Sequence, residues 1–158
     1  MEQDLILRDE DVHKLNVVLT RLIDKGRIDC SMVINKSGRL MTSQSESSEF
    51  DKTSLAALVA GSFASTISIA NLVGENAFQA MVHQGRKKST YVAQIDESTI
   101  LTHIYTSRTT FDRVKTVTKE FIPELQSLLS LLYAKMNSDP NVNLDVGHGK
   151  RAVPDHQH

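Results

Sequence analysis

Residues 55–74 read LAALVAGSFASTISIANLVG, twenty positions without a charged side chain in a chain of 158 residues. Asp51 stands ahead of this stretch as a candidate helix N-cap, and Phe50 is placed to pack on Leu55. Gly74 closes it, so a single helix over about 55–73 is predicted. Three placements compete for that helix. Its length meets the requirement for a membrane span. Yet Ser62, Ser65, Thr66, Ser68 and Asn71 interrupt it, and no basic or aromatic girdle flanks it. A wholly buried core helix also needs no polar face. The third placement has two faces. Leu55, Leu58, Val59, Ile69 and Val73, with Phe63 and Ile67 beside them, are expected to face a sheet. Ala57, Ala60, Gly61, Ala64, Ser65 and Ser68 recur at steps of three and four and make a small, uncharged second face. Such a face lets another backbone approach and costs little to dehydrate, so it is expected to meet a partner.

Reading outward, residues 9–25 carry Val12, Leu15, Leu19, Leu22 and Ile23 at helical spacing, with Asp9, Glu10 and Asp11 crowding the start. Gly26 is the expected left-handed cap. Residues 30–34 and 40–42 read as a hairpin around Asn35-Lys36-Ser37-Gly38, and 43–49 as a polar loop. After the uncharged helix, 78–84, 90–95 and 100–106 are three candidate strands. Links this short hold no crossover helix, so neighbours should be antiparallel. Both faces of these strands are apolar, which predicts a sheet covered on both sides. A last helix is expected from about Thr109, with Asp112 as capping-box partner. Val114, Thr118, Phe121, Leu125, Leu128 and Leu132 form its stripe, and Pro123 should kink or split it. Residues 137–158 are polar and read as a mobile tail behind one domain at 1–136. The predicted order is α-β-β-α-β-β-β-α, an α+β fold with a five-stranded antiparallel sheet between helices.

Composition narrows the function classes. Hydrophobic residues make up 40% and charged residues 23%, the balance of a globular chain. A net charge of −1 with no Trp leaves no broad field for nucleic acid and little for base stacking. The single Cys30 rules out an intrachain disulfide and is expected as a buried strand residue. With no apolar run of signal-peptide length at the start, a cytoplasmic location is expected.

The run DKTSLAALVAGSFASTISIANLVGENAFQAMVHQGRKKSTYV (51–92), with VINKSGRLMTS (33–43) before it and LTHIYTSRTTFDRVK (101–115) after it, resembles the Roadblock/dynein-light-chain family. Within that family it is similar to the MglB-like bacterial polarity regulators, over roughly residues 8–134. The resemblance implies a profilin-like sandwich, the central helix on one sheet face and the terminal helices on the other. It implies a homodimer joined at the third strands with the central helices side by side, so that Ala60, Phe78, Ala80, Val82 and His83 would lie at the dimer interface. It implies a partner, a small Ras-like GTPase of the MglA kind, docked on Ala57, Gly61, Ala64, Ser65 and Ser68. Stimulated GTP hydrolysis, control of polarity or motility, and concentration at a cell pole follow from the same likeness. The basic, His-containing stretch 147–158 departs from the family pattern.

The chain's own motifs point to no active site. There is no G-x-x-x-x-G-K-[ST], H-E-x-x-H, Cys-x-x-Cys or G-x-S-x-G, and no cofactor or metal is expected. His148, His156 and His158 are expected to build no defined metal site. His83 and His103, in strands, are expected as structural histidines. Arg86 and Arg108 stand in loops, where either could serve as an arginine finger, although solvated loop charges are the commoner case. Activation by selecting a hydrolysis-competent state of the GTPase is therefore the expected mechanism. The rival is a scaffold of the same fold that tethers a partner without accelerating hydrolysis.

Overall fold

Short links between strands force neighbours to run antiparallel, and the sheet is built that way throughout. The computed structural model describes residues 8–46 and 50–137. Its elements are α1 (Asp9–Gly26), β1 (Cys30–Asn35), β2 (Leu40–Ser45), α2 (Lys52–Leu72), β3 (Ala80–Gln84), β4 (Ser89–Asp96), β5 (Thr99–Tyr105) and α3 (Phe111–Asn137). The strands form one five-stranded sheet in the order β2-β1-β5-β4-β3, every neighbouring pair antiparallel. The expected α+β class and element order hold.

Each face of the sheet has its own core. On one, Leu15, Leu19 and Leu22 of α1 and Phe121, Leu125 and Leu129 of α3 pack over Val33, Tyr91 and Leu101. On the other, Ala56, Val59, Ala60 and Phe63 of α2 cover Met32, Ile34, Val92 and Ile100. Full burial of each large aliphatic side chain contributes roughly 1.5–3 kcal/mol, so these two layers hold the fold. The outer rims of α1 and α3 are bridged by Arg21–Glu124 and Lys25–Glu120. Those pairs are exposed and add less than about 1 kcal/mol each.

Several boundaries differ from expectation, each for a local reason. The left-handed residue after α1 is Arg27 at φ 55°, and Gly26 belongs to the helix. A Cβ at Gly26 would stand 2.8 Å from Ile28 Cδ1, so a larger residue there would have to displace the tip of that side chain. Residues 43–45, expected in a loop, extend β2 and pair with β1 in spite of their polarity. Phe78, expected in the third strand, lies before Ala80, where pairing with β4 begins. The cap of α3 is Thr110, whose Oγ1 accepts from Arg113 N–H at 3.2 Å, one residue later than the predicted capping box. Pro123 neither splits nor ends α3. It stands on the exposed side, where the carbonyl left unbonded can meet water. Of the expected tail, Asn137 closes α3, and residues 138–158 with their three histidines lie outside the described residues.

The orientation of α2 is the main correction. Its cap is as predicted, with Asp51 accepting from both the backbone N–H and the hydroxyl of Ser54. Leu55 and Ile67 do lean partly on the sheet and Val59 and Phe63 are buried, but Leu58, Ile69 and Val73 are exposed. Alanines at 56, 60 and 70 take the buried places instead. Near Ala57 and Ala60 the helix runs close over the β1–β2 turn. A Cβ at Gly38, which has φ +102°, would be 3.3 Å from Ala57 Cα and 3.9 Å from Ala60 Cβ. At its far end α2 reaches β3, where Thr66 Oγ1 meets Met81 Sδ at 3.1 Å.

One buried hydroxyl in this layer has no use. Thr102 of β5 is 0% exposed between Met32 and Val92, and its Oγ1 has no hydrogen-bond partner among the described residues. Thr102→Val keeps the shape and removes the unpaired group, so it should stabilise the fold by about 1–2 kcal/mol. A urea midpoint equal to or below that of the parent would contradict this.

Candidate partner-binding face

The outer side of α2 is an uncharged surface with its polar groups turned inward. Ala57, Gly61, Ala64, Ser65 and Ser68 are all exposed, and they share one side of the helix. Ser65 Oγ donates to Gly61 O at 3.2 Å and Ser68 Oγ to Ala64 O at 3.3 Å. A hydroxyl bonded to its own helix loses little when water leaves. Gly61 has nothing within 4 Å of where a Cβ would stand. A helical glycine costs up to about 1 kcal/mol against alanine, and nothing within the described chain requires it.

Beside this strip stand large apolar side chains. Leu58 and Ile69, expected to face the sheet, are 69% and 52% exposed, and Leu72, assigned to neither side from sequence, is 87% exposed. Leu58, Gly61, Ser65, Ser68 and Leu72 follow at steps of three and four, the spacing of a helix–helix seam. With no charge on either side of the helix, apolarity points in no direction, so periodicity could not tell the sheet side from the outside. The signal that could have found it is the alanine spacing at 56, 60 and 70.

The residues expected at a dimer interface are not all available for one. Ala60 is 6% exposed and belongs to the core under α2. Its place follows from the close approach to Gly38, so it is a packing residue of the single chain. Ala80 is half-buried, whereas Val82, His83 and Phe78 are exposed. β3 is an edge strand and pairs only with β4 among the described residues. His83 Nδ1 lies 3.1 Å from Thr90 Oγ1.

Helix α2 is long and apolar enough to cross a membrane by length and composition. Its sheet-facing side nevertheless packs into this domain through Ala56, Val59, Ala60 and Phe63.

The two loop arginines differ in their surroundings. Arg108 bonds Glu46 at 2.9 Å and Asp29 at 3.1 Å, tying the β5–α3 loop to the ends of β1 and β2. The hydrogen bond to Glu46 leads in raising its pKa further. Arg86 is exposed in the β3–β4 turn.

Ser31 and His103 resemble a nucleophile and its base but are sealed. Ser31 Oγ is 2.7 Å from His103 Nδ1, and His103 Nε2 is 3.1 Å from Thr118 Oγ1. The Thr118 hydroxyl already donates to Val114 O at 2.6 Å. It must therefore accept from Nε2–H, which leaves Nδ1 to accept from Ser31. Both Ser31 and His103 are 0% exposed, so no substrate reaches them. Burial pushes the His103 pKa down to about 3. Cys30 is also buried, and desolvation raises its thiol pKa. A cleft of about 360 Å³ between β4 and α3, lined by Gln79, Tyr91, Gln94, Lys119 and Ile122, gathers no carboxylate, thiol or imidazole. Among the described residues, no His, Cys, Asp and Glu group is arranged to hold a metal.

Residues 14–104 match the Roadblock/LC7 domain family. The chain belongs to that family. This Roadblock chain is similar in structure to Myxococcus xanthus MglB, with 31% identity, a TM-score of 0.74, and coverage of 81% of this chain and 96% of that one. It is also similar to the gliding protein MglB from Thermus thermophilus, with 25% identity, a TM-score of 0.74, and coverage of 81% and 97%. A third structure, described as MglB with a tetrameric arrangement, shares the fold at 24% identity and a TM-score of 0.77, covering 84% of this chain and 99% of that one. No curated protein sequence matches significantly.

Proposed function

We propose that this Roadblock chain is a homodimeric regulator that binds a small Ras-like, MglA-type GTPase through α2 and stimulates its GTP hydrolysis. The single observation that carries the reading is the outer face of α2, uncharged, self-satisfied in its hydroxyls, and bearing exposed Leu58, Ile69 and Leu72. Contiguous apolar surface of this kind marks contact sites. Self-association is supported by the open β3 edge and by the exposed C-terminal end of α2 beyond its contact with Met81. It is supported too by the assembly described for one MglB relative. Likeness to two MglB proteins supports the GTPase partner, a cytoplasmic site of action concentrated at a pole, and a role in polarity or motility.

The chain supplies no catalytic group in this reading. It binds the hydrolysis-competent conformation of the GTPase more tightly than the resting one and so raises its population. Moving that equilibrium from 1:99 to 99:1 takes about 10⁴-fold preference, which a large dry contact can supply.

The test is single-turnover GTP hydrolysis by an MglA-type GTPase with Arg86→Ala and Arg108→Ala variants. Both should stimulate within a few-fold of the parent. Loss of several orders of magnitude with binding intact would make one of them an arginine finger and overturn the mechanism. Binding by the parent chain without acceleration would make it a scaffold.

A further inference from the structure

A helix with its side chains is about 10 Å across and neighbouring strands lie about 4.8 Å apart, so one helix covers about two strands. The sheet has five strands, and the face that carries α1 and α3 has only two helices to cover them. The core there takes its buried strand residues from β1, β4 and β5, while β3 adds only the half-buried Ala80. Ala80 pairs with Ala93 and Val82 with Tyr91, so both point to this face. Val82 is 38% exposed. The edge strand is thus a bare apolar strip beside α3.

The strip borders the β4–α3 cleft, whose lining includes Gln79, Tyr91, Ala93, Lys119 and Ile122. The apolar surface continues from Tyr91 to the exposed Phe111, whose ring lies 6.0 Å away, and Lys115 Nζ stands 6.0 Å over that ring. The rim is basic. Lys115 and Lys119 follow one another along α3, and Arg86 and Lys87 are exposed in the turn after β3. Glu120 and Glu124 of α3 turn the other way and bond Lys25 and Arg21 of α1. Asp112 is the one carboxylate within residues 111–119.

In the homodimer of the proposed function, on which this inference rests, two β3 edges pair antiparallel with both α2 helices on one face. The two bare strips then lie side by side on the other face. Together they are about 10 Å wide, room for one further helix between the two α3 helices. We propose that this trough seats one amphipathic helix of a partner protein, its apolar side on Ala80 and Val82 of both copies and its acidic flanks toward Lys115 and Lys119. Burial of the apolar side removes surface from water on both partners, and the basic rim selects acidic over basic helices. The trough is on the opposite sheet face from the docking strip of α2.

Fluorescence anisotropy on the full chain tests it, with a labelled peptide of about 14 residues, about 21 Å long as a helix, bearing leucines on one side and glutamates on its flanks. The peptide should saturate at one per two chains, and Lys115→Glu combined with Lys119→Glu should weaken it at least about tenfold. Both changes lie on α3, away from the β3 edge, so the dimer mass by light scattering should not change. Ala64→Arg, on the other sheet face, should bind the peptide as the parent does. Saturation at one per chain, equal binding of a peptide with lysines in place of the glutamates, or weakened binding by Ala64→Arg overturns the proposal. Binding of the parent to phosphatidylserine vesicles but not to the peptide overturns it in favour of a membrane contact. A dimer that binds no peptide sinks this proposal alone, whereas a monomer mass sinks the homodimer reading and this proposal with it.

Discussion

Ala64→Arg should abolish partner binding and stimulated hydrolysis, by at least about 100-fold, while leaving the fold intact. Ala64 is exposed on α2, so arginine there can extend into solvent in the single chain. In a dry contact the guanidinium would lose its water without gaining an acid, at a cost of several kcal/mol. Each 1.4 kcal/mol is tenfold in affinity, so 100-fold is the lower end. Equilibrium titration of the GTPase against parent and variant gives the number, and thermal unfolding checks the fold. Binding within threefold of the parent would move the docking surface off this strip, the exposed apolar row of Leu58, Ile69 and Leu72 being the next place to look.

The second large effect concerns acid stability through His103. Its pKa is about 3 when folded, against 6.5 in an ordinary setting, because burial disfavours the cation. Between those values the unfolded chain binds a proton that the folded chain refuses. Stability from this residue is thus complete above pH 6.5 and is lost progressively as pH falls towards 3, with a slope approaching about 1.4 kcal/mol per pH unit. His103→Gln removes the titration. It should also cost about 2–4 kcal/mol at pH 7, because Ser31 and Thr118 lose well-placed partners. Urea unfolding at pH 7, 6, 5 and 4.5 should give a shallower pH slope for the variant. Parallel slopes would mean that His103 titrates normally in the folded chain.

Much of the architecture could be read before any coordinates. The stripe Leu15, Leu19, Leu22 and Ile23 announced α1, and Val114, Phe121, Leu125 and Leu132 announced α3, because charged residues on their other sides gave the apolar positions a direction. Short links between strands dictated antiparallel neighbours. Apolar residues on both strand faces called for helices on both sides of the sheet, and the structure has them. Errors at the ends were of one to three residues, at Gly26, Thr109, Phe78, the end of β2 and the start of α2. There the cap or pairing geometry decided, and neighbouring residues of similar type were equally eligible.

The candidate site was legible in composition but not in orientation. The docking strip Ala57, Gly61, Ala64, Ser65 and Ser68 is exposed as anticipated. Ala60, assigned to the outside, is packed within, and Leu58, Ile69 and Val73, assigned to the sheet, face out. By itself the sequence determined that the uncharged stretch from residue 55 forms a helix ending just before Gly74, beside a two-faced sheet, because caps and periodicity are local. Only the tertiary structure decided how that helix is turned. Its rotation is set by the clearance over Gly38, a contact between residues about twenty positions apart that no helical period encodes.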